Sequence, residues 1–229
     1  MKFFNTESGF YKFISRFWDI VKLNFLWLIC SLPIITIGVS TIAAYTITLK
    51  MVEDKEGYVA RSFFKAFKDN FKQGMAIGPI SIVFIIAVYL DFHLSDHIAF
   101  IMVGILSAFL FFIAIIYAYP LLARYRNTVF KTMKNSMRIS MRYFGKTVLL
   151  AVFVVLEMLI FRLTQITLII GVLIGPACIM LTISGFSMYF FREIEREGGV
   201  IPAEKTEEDL YNEEIERETE EALKKENIQ

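Results

Sequence analysis

Cysteine and histidine are scarce in this chain, which has only two of each among its 229 residues. Cys30 and Cys178 both lie within apolar runs, where a free cysteine packs as a small apolar side chain. A disulfide framework is therefore not expected, and the histidines are too few to complete an established zinc pattern.

Charged residues are absent from long stretches. None occurs between Lys22 and Lys50, and further apolar runs follow before residue 192. A hydrocarbon layer about 30 Å thick needs about 20 apolar helical residues to cross it, and backbone exposed to lipid must satisfy its own hydrogen bonds. The sequence therefore predicts an all-α fold, a polytopic transmembrane helical bundle with about five spans, at about 23–49, 74–90, 98–123, 147–166 and 168–191.

The last two runs abut, and together they are too long for one crossing. The polar interruption between them consists of Arg162, Thr164, Gln165 and Thr167. We therefore expect a tight turn at these residues.

Acidic and basic residues are segregated along the chain, although its net charge is only +1. Residues 192–229 hold fourteen Asp and Glu against six Lys and Arg, whereas the links at 50–73 and 124–146 are basic. Because Lys and Arg concentrate in cytoplasmic links, we expect both links and the C-terminus in the cytoplasm. This divides the chain into an N-terminal interfacial segment (1–22), a transmembrane helical domain (23–191) and an acidic cytoplasmic tail (192–229), helical or disordered.

The N-terminus conflicts with this orientation, because its own Lys and Arg favour the cytoplasm while five crossings place it outside. Two topologies resolve the conflict. In the first, which is our primary prediction, segment 23–49 crosses once with the N-terminus outside. In the second, it breaks at Pro33 and Gly38 into a re-entrant hairpin with both ends inside. In the first topology residues 10–22 form a flanking interfacial helix.

The two basic links indicate a weak internal repeat. Tyr45 precedes Lys50 at the end of one run, as Tyr119 precedes Arg124 at the end of another. Each link then contains apolar residues at helical spacing beside basic ones: Phe64, Phe67 and Phe71 in the first, and Met133, Met137, Met141 and Phe144 in the second. Such a basic amphipathic helix is typical of the headgroup boundary of a membrane or of a docking surface for a cytoplasmic partner.

Three polar residues in the runs are candidate functional intramembrane residues: Glu157, Arg162 and Asn24. Glu157 lies about 16 Å along a helix from Lys146, near the middle of the bilayer. An ionisable group there marks either a functional site or a protonated carboxyl bonded to a hydroxyl of a neighbouring helix. Arg162 is not its expected partner, because five residues turn a helix by about 140°. Asn24 is of the type that bonds between helices.

The link near residue 94 brings both histidines close to two carboxylates: Asp91, His93, Asp96 and His97. Imidazole and carboxylate are suitable zinc ligands. Any short polar turn draws on the same residues, however, so we predict neither a metal site nor a cofactor.

Two short motifs carry a resemblance to a known family. Pro33, Thr36 and Gly38 form a Pro-x-x-Thr-x-Gly pattern in the first run, and Tyr119-Pro120 lies near the end of the third. With their surroundings they resemble the YesL-like family of bacterial multi-pass membrane proteins. The resemblance implies a bacterial plasma membrane location, no known activity, no transferred catalytic residues, and an association with carbohydrate uptake.

No catalytic motif occurs, so we predict that the protein is not an enzyme. The leading hypothesis is an accessory or scaffold component associated with carbohydrate uptake. The alternative is a small-solute transporter that uses Glu157 and the broken first segment. The expected partners are the lipid bilayer and, through the resemblance, a carbohydrate ABC importer or another membrane protein. No nucleic acid partner is expected, and the oligomeric state stays open.

Overall fold

The computed structural model describes residues 9–55, 57–93, 98–125 and 127–196, and the regular structure in these ranges is helical throughout. The helices are α1 (Gly9–Cys30), α2 (Ile37–Val52), α3 (Val59–Asp69), α4 (Phe71–His93), α5 (Ile98–Ile115), α6 (Ala118–Arg124), α7 (Val129–Arg142), α8 (Phe144–Arg162) and α9 (Gln165–Arg196). A single 3₁₀ turn, Ile34–Thr36, precedes α2. The predicted all-α fold is confirmed. The acidic tail beyond residue 196 lies outside the described residues.

Five stretches of the described chain are long and apolar enough to cross a membrane. They are Ile34–Val52, Phe71–Asp91, Phe100–Arg124, Phe144–Arg162 and Gln165–Arg196. The prediction of about five stretches long and apolar enough to cross is confirmed, and so is the turn between the last two, since α8 ends at Arg162 and α9 begins at Gln165. Thr164 and Thr167 cap this turn reciprocally, each hydroxyl accepting the other residue's backbone N–H at 3.1 and 2.8 Å. Such bonds satisfy donors at a helix start.

The primary prediction for the first span, a single crossing, is wrong. Residues 23–49 do not form one crossing helix, because α1 ends at Cys30 and the chain reverses before α2. Near the reversal Trp27 Nε1 donates to Thr41 Oγ1 at 3.1 Å. Near the far end Arg16 pairs with Asp54. The two helices are therefore antiparallel, and the start of α1 lies beside the end of α2, as in the hairpin alternative.

The hairpin also changes the boundary predicted after residue 22. Residues 10–22 do not form a separate helix, since α1 runs unbroken from Gly9 to Cys30. At 1.5 Å per residue its 22 residues extend about 33 Å. The first arm reaches this length because it starts before the charge-free run. In this preceding part Lys22 pairs with Asp19 at 3.1 Å.

Helix α2 occupies the centre of the bundle. Of its apolar window, 61% is buried inside the protein, against 22% or less for the other four candidate spans. It packs against α3, α4, α6 and α9 as well as α1. The outer spans consequently turn large apolar side chains outward, such as Val83, Met102, Leu159 and Val172. In water such a surface would be an aggregation hazard, whereas it suits a lipid environment.

Charged residues join four helices at one end of the bundle, which we call the basal end. Arg124, at the end of α6, bonds Glu53 after α2 at 3.1 Å and Glu195 near the end of α9 at 3.2 Å. Burial alone would raise the pKa of Glu53, but the hydrogen bond and charge of Arg124 outweigh it and hold that pKa below its ordinary value. The Arg16–Asp54 pair lies at the same end, since Asp54 immediately follows Glu53.

Helices α3 and α7 turn part of their apolar spacing away from the bundle and bury a different face. In α3 the buried residues are Val59, Phe63 and Ala66, whereas Phe64 of α3 and Phe71 at the start of α4 are exposed. In α7 the buried face is Thr132, Ser136, Ile139 and Ser140. The predicted methionine stripe is directed outward, with Met141 59% exposed.

The predicted repeat has a physical counterpart at the centre of the bundle. Tyr45 of α2 and Tyr119 of α6 stack with their ring centroids 6.3 Å apart and their planes 19° apart. Each of these helices is followed by a basic amphipathic helix and then by a span. The two tyrosines that correspond in sequence therefore meet face to face, which supports a repeat of α1–α4 in α5–α8.

Candidate functional site

Glu157 is held by the neighbouring helix rather than by a counter-ion. Thr182 of α9 donates its hydroxyl hydrogen to Glu157 Oε1, while Oε2 is buried without a hydrogen-bond partner. A bond to a hydroxyl on an adjacent helix is part of one of the two interpretations of Glu157, and the protonation of its carboxyl stays a prediction. Because α8 ends at Arg162, Glu157 lies about 7.5 Å from that end and about 20 Å from Phe144. It is thus closer to the end of the span than predicted.

Arg162 does not contribute to this group. Its side chain is exposed at the last position of α8. No ion pair links it to Glu157 among the described residues. The expected separation of the two side chains around the helix explains this.

Asn24 bonds the backbone of α9 where Pro176 interrupts its hydrogen bonding. Pro176 has no N–H, so the carbonyl of Val172, four residues earlier, loses its helical donor. Asn24 Nδ2 donates to that carbonyl at 3.0 Å and to the carbonyl of Leu173 at 2.8 Å. Its Oδ1 accepts the N–H of Ala177 at 3.3 Å. Asn24 is fully buried, and its role is to satisfy backbone groups.

Ser136 likewise satisfies backbone groups at a second helix break, between α5 and α6. We did not predict this role from the sequence. In an unbroken helix the N–H of Tyr117 would donate to the carbonyl of Ile113, but α5 ends at Ile115. Ser136 Oγ instead accepts from Tyr117 N at 3.2 Å and donates to Ile113 O at 3.3 Å. Ser140 also donates to that carbonyl, at 2.9 Å. The serine spacing in α7, together with the Pro120 that follows the break, is the signal that could have found this pair.

The Pro33 and Thr36 motif residues build the turn of the α1–α2 hairpin. Proline disfavours helical geometry in the residue before it, and α1 ends at Cys30. The Thr36 hydroxyl lies 2.7 Å from the carbonyl oxygens of both Cys30 and Pro33. Thr36 N donates to the same Pro33 carbonyl at 2.8 Å. The motif thus satisfies carbonyls that a helix end leaves free.

Gly38 permits α2 to cross α4 at backbone contact. A Cβ built on Gly38 would lie 2.7 Å from both N and Cα of Gly78, and closer still to the carbonyl oxygen of Gly74. Gly74 and Gly78 are four residues apart on α4, the small-xxx-small spacing that allows helices to approach closely in membranes. All three glycines therefore act in packing.

Tyr119 and Pro120 lie where α6 meets α2 and α4. The Tyr119 hydroxyl is 3.1 Å from Ser81 Oγ of α4, and its ring stacks on Tyr45. Pro120 is buried in the first turn of α6, where its missing N–H costs no helical bond. Both residues hold the broken third span in place.

The four candidate metal ligands are only partly described. His93, at the end of α4, stacks on Tyr89 with ring centroids 4.0 Å apart, and its Nδ1 lies 3.1 Å from the Tyr89 carbonyl. Asp96 and His97 lie outside the described residues. Within the described ranges no three His, Cys, Asp or Glu side chains come together to hold a metal ion.

Replacing Glu157 with glutamine should leave the free energy of unfolding unchanged or raise it by up to about 1 kcal/mol. Glutamine keeps an oxygen for the Thr182 hydroxyl and removes a carboxylate that is costly to bury. Thermal unfolding in detergent measures this. The companion variant Thr182→Val removes the donor and should cost about 1–2 kcal/mol. A Glu157→Gln variant as unstable as Thr182→Val would show that the carboxylate charge itself stabilises the fold.

Fold and site together define the class of protein: a polytopic helical membrane protein whose interior polar groups bond helix breaks and neighbouring helices. Residues 20–92 match the model of a family described as a protein of unknown function, DUF624. The matched segment includes Pro33, Thr36, Gly38 and the glycines of α4, so the similarity covers the hairpin and its crossing with α4. No curated protein and no solved structure matches the chain.

Proposed function

We propose that the protein is a non-catalytic accessory or scaffold component of the plasma membrane, with its partner-docking surface at the basal end. The observation that supports this is the outward face of α7. Met137 and Met141 are exposed there, beside the exposed Lys134 and Arg138. Methionine adapts to varied surfaces, and the inward hydroxyl face of α7 already anchors this helix to the bundle.

The basal end is the cytoplasmic face in this proposal. The ion pairs of Arg124 and Arg16 gather there the start of α1 and the ends of α2, α6 and α9. The basic helices α3 and α7 follow directly from α2 and α6. All of these basic segments then share one side, as the positive-inside tendency requires. The hairpin removes the conflict at the N-terminus, which joins the same side.

Reporter fusions test this topology. Reporters at the N-terminus, after Asp69, after Asn135 and after Gln229 should all read cytoplasmic, and one inserted at Ser95 should read external. The N-terminal reporter discriminates most sharply, because a single crossing by the first segment would place it outside. An external N-terminal signal, or a cytoplasmic one at Ser95, would refute the arrangement.

The partner class rests on the resemblance to YesL-like proteins, which implies an association with carbohydrate uptake. A photo-crosslinking amino acid at Met141 should capture a protein in native membranes, with a subunit of a carbohydrate ABC importer as the expected product. Val103 is the matched control, because both side chains are 59% exposed but Val103 lies within a span. Identical products at both positions, or lipid adducts alone at Met141, would contradict a docking role for α7.

Solute transport is the second candidate, and the broken helices favour it. Transporters place discontinuous helices around their substrate sites, and here α1–α2, α5–α6 and α9 are interrupted near Pro33, Pro120 and Pro176. The contacts disfavour a transport role, because side chains of this chain already bond the backbone groups at each break. If reconstituted vesicles carry a solute, Glu157→Gln should abolish its flux under this second hypothesis.

A further inference from the structure

A groove between α8 and α9 opens on the outer surface of the bundle near its basal end. Its volume is about 670 Å³, within the range of about 300–1,000 Å³ typical of sites for small molecules. Apolar side chains form most of its wall, and Lys146 and Tyr189 line it at one end. From Tyr189 to Leu181 it follows α9 for eight residues, or about 12 Å.

Gly185 leaves the groove open. A Cβ built on this glycine meets nothing within 4 Å, whereas toward the basal end of α9 Phe186 packs on Phe153 and Phe190 stacks on Tyr143. Helices α8 and α9 therefore touch at Phe153 and Phe186, and no side chain fills the space beside Gly185.

Lys146 supplies a cation at the basal end of the groove. Its Nζ lies 3.9 Å from the centroid of the Tyr189 ring, a distance at which the ring face attracts and positions an ammonium. Lys146 is exposed, and it makes no ion pair with a carboxylate of the described residues, although Glu193 lies within electrostatic range. The ammonium is thus fixed in direction and open to an anion from outside.

We propose that this groove binds one anionic phospholipid, with an acyl chain along Leu149, Leu181 and Phe186 and the headgroup phosphate at Lys146. The groove length of about 12 Å approaches the hydrocarbon depth of one leaflet, about half of 30 Å. Basic pockets between spans on the cytoplasmic side of a membrane suit anionic headgroups. The single cation at the headgroup end and the apolar wall beyond it match the two parts of such a lipid.

Native mass spectrometry of the full chain in micelles tests the site, with phosphatidylglycerol and phosphatidylcholine of the same acyl chains added in equal amounts. The wild type should retain one phosphatidylglycerol, at least about fivefold in excess of phosphatidylcholine. Gly185→Leu, which fills the open space, should lose this adduct. Lys146→Gln should keep a lipid adduct but bring the ratio of bound phosphatidylglycerol to bound phosphatidylcholine close to one.

Lys72→Gln is the control, since it removes an exposed cation at the start of α4 that does not line the groove, and its lipid preference should equal that of the wild type. Equal loss of preference in Lys72→Gln and Lys146→Gln would overturn the proposal, because general surface charge would then explain it. An unchanged adduct in Gly185→Leu would overturn it as well. So would a dimer that disappears in Gly185→Leu, since a second copy of the chain would then be the occupant.

Discussion

Replacing Gly38 with alanine should lower the free energy of unfolding by about 3 kcal/mol, although it adds one carbon. The new Cβ would lie 2.7 Å from backbone atoms of Gly78, and backbone cannot rotate aside as a flexible side chain would. The α2–α4 crossing must therefore open, and α2 is the central helix of the bundle. Overpacking typically costs 1–3 kcal/mol, and we expect the upper end here because both sides of the contact are backbone. Thermal unfolding in detergent, followed by circular dichroism, measures the change.

Gly145→Ala is the matched control for this experiment. Gly145 also lies in a helix, α8, but a Cβ built there meets nothing within 4 Å. Alanine is favoured over glycine in helices by up to about 1 kcal/mol, so this variant should be as stable as the wild type or more so. If Gly38→Ala matched Gly145→Ala, the close crossing of α2 and α4 would be wrong.

The spans were predictable because their signal is local. Apart from the breaks after α1 and after α5, each long apolar run is helical, since unpaired backbone is costly in lipid. The α8–α9 turn was equally local, because Thr164 and Thr167 bond each other. The hairpin was not predictable in the same way. Its direction depends on contacts such as Arg16 with Asp54 and Trp27 with Thr41, which join residues far apart in the sequence.

The orientation of α7 shows a different limit of pattern analysis. Apolar spacing predicted a methionine face turned toward the membrane boundary or a partner, but it did not predict that Ser136 and Ser140 on the opposite face lie inward. A hydroxyl gains more inside than a methionine because the carbonyl of Ile113 and the N–H of Tyr117 need partners there. That need arises only from the break between α5 and α6, which no pattern within α7 records. Predicting which polar side chains face the interior thus requires knowing which backbone N–H and carbonyl groups lack a hydrogen-bond partner in their own helix.

Replacing Asn24 with leucine should lower the free energy of unfolding by about 2–3 kcal/mol. Leucine has a similar size, so the effect comes from the three hydrogen bonds to α9. Single side-chain bonds between membrane helices average only about 0.6 kcal/mol. Here the loss should be larger, because the Val172 carbonyl stays buried without a helical donor. Thermal unfolding in detergent measures the change. Ser31→Ala, directly after α1, removes a buried hydroxyl without a partner and should not destabilise.

Pro176→Ala tests whether Asn24 stabilises the fold by bonding the carbonyl that this proline leaves without a donor. Alanine restores an N–H that can donate to the Val172 carbonyl, so the helix no longer needs Asn24 for that bond. In the background of Pro176→Ala, Asn24→Leu should therefore cost about 1 kcal/mol less than it does alone, a coupling that a double-mutant cycle measures. If the two substitutions add without coupling, Asn24 stabilises the fold through packing and not by repairing the break in α9. A coupling of the expected sign would identify Asn24 and Pro176 as one structural unit formed by two separate helices.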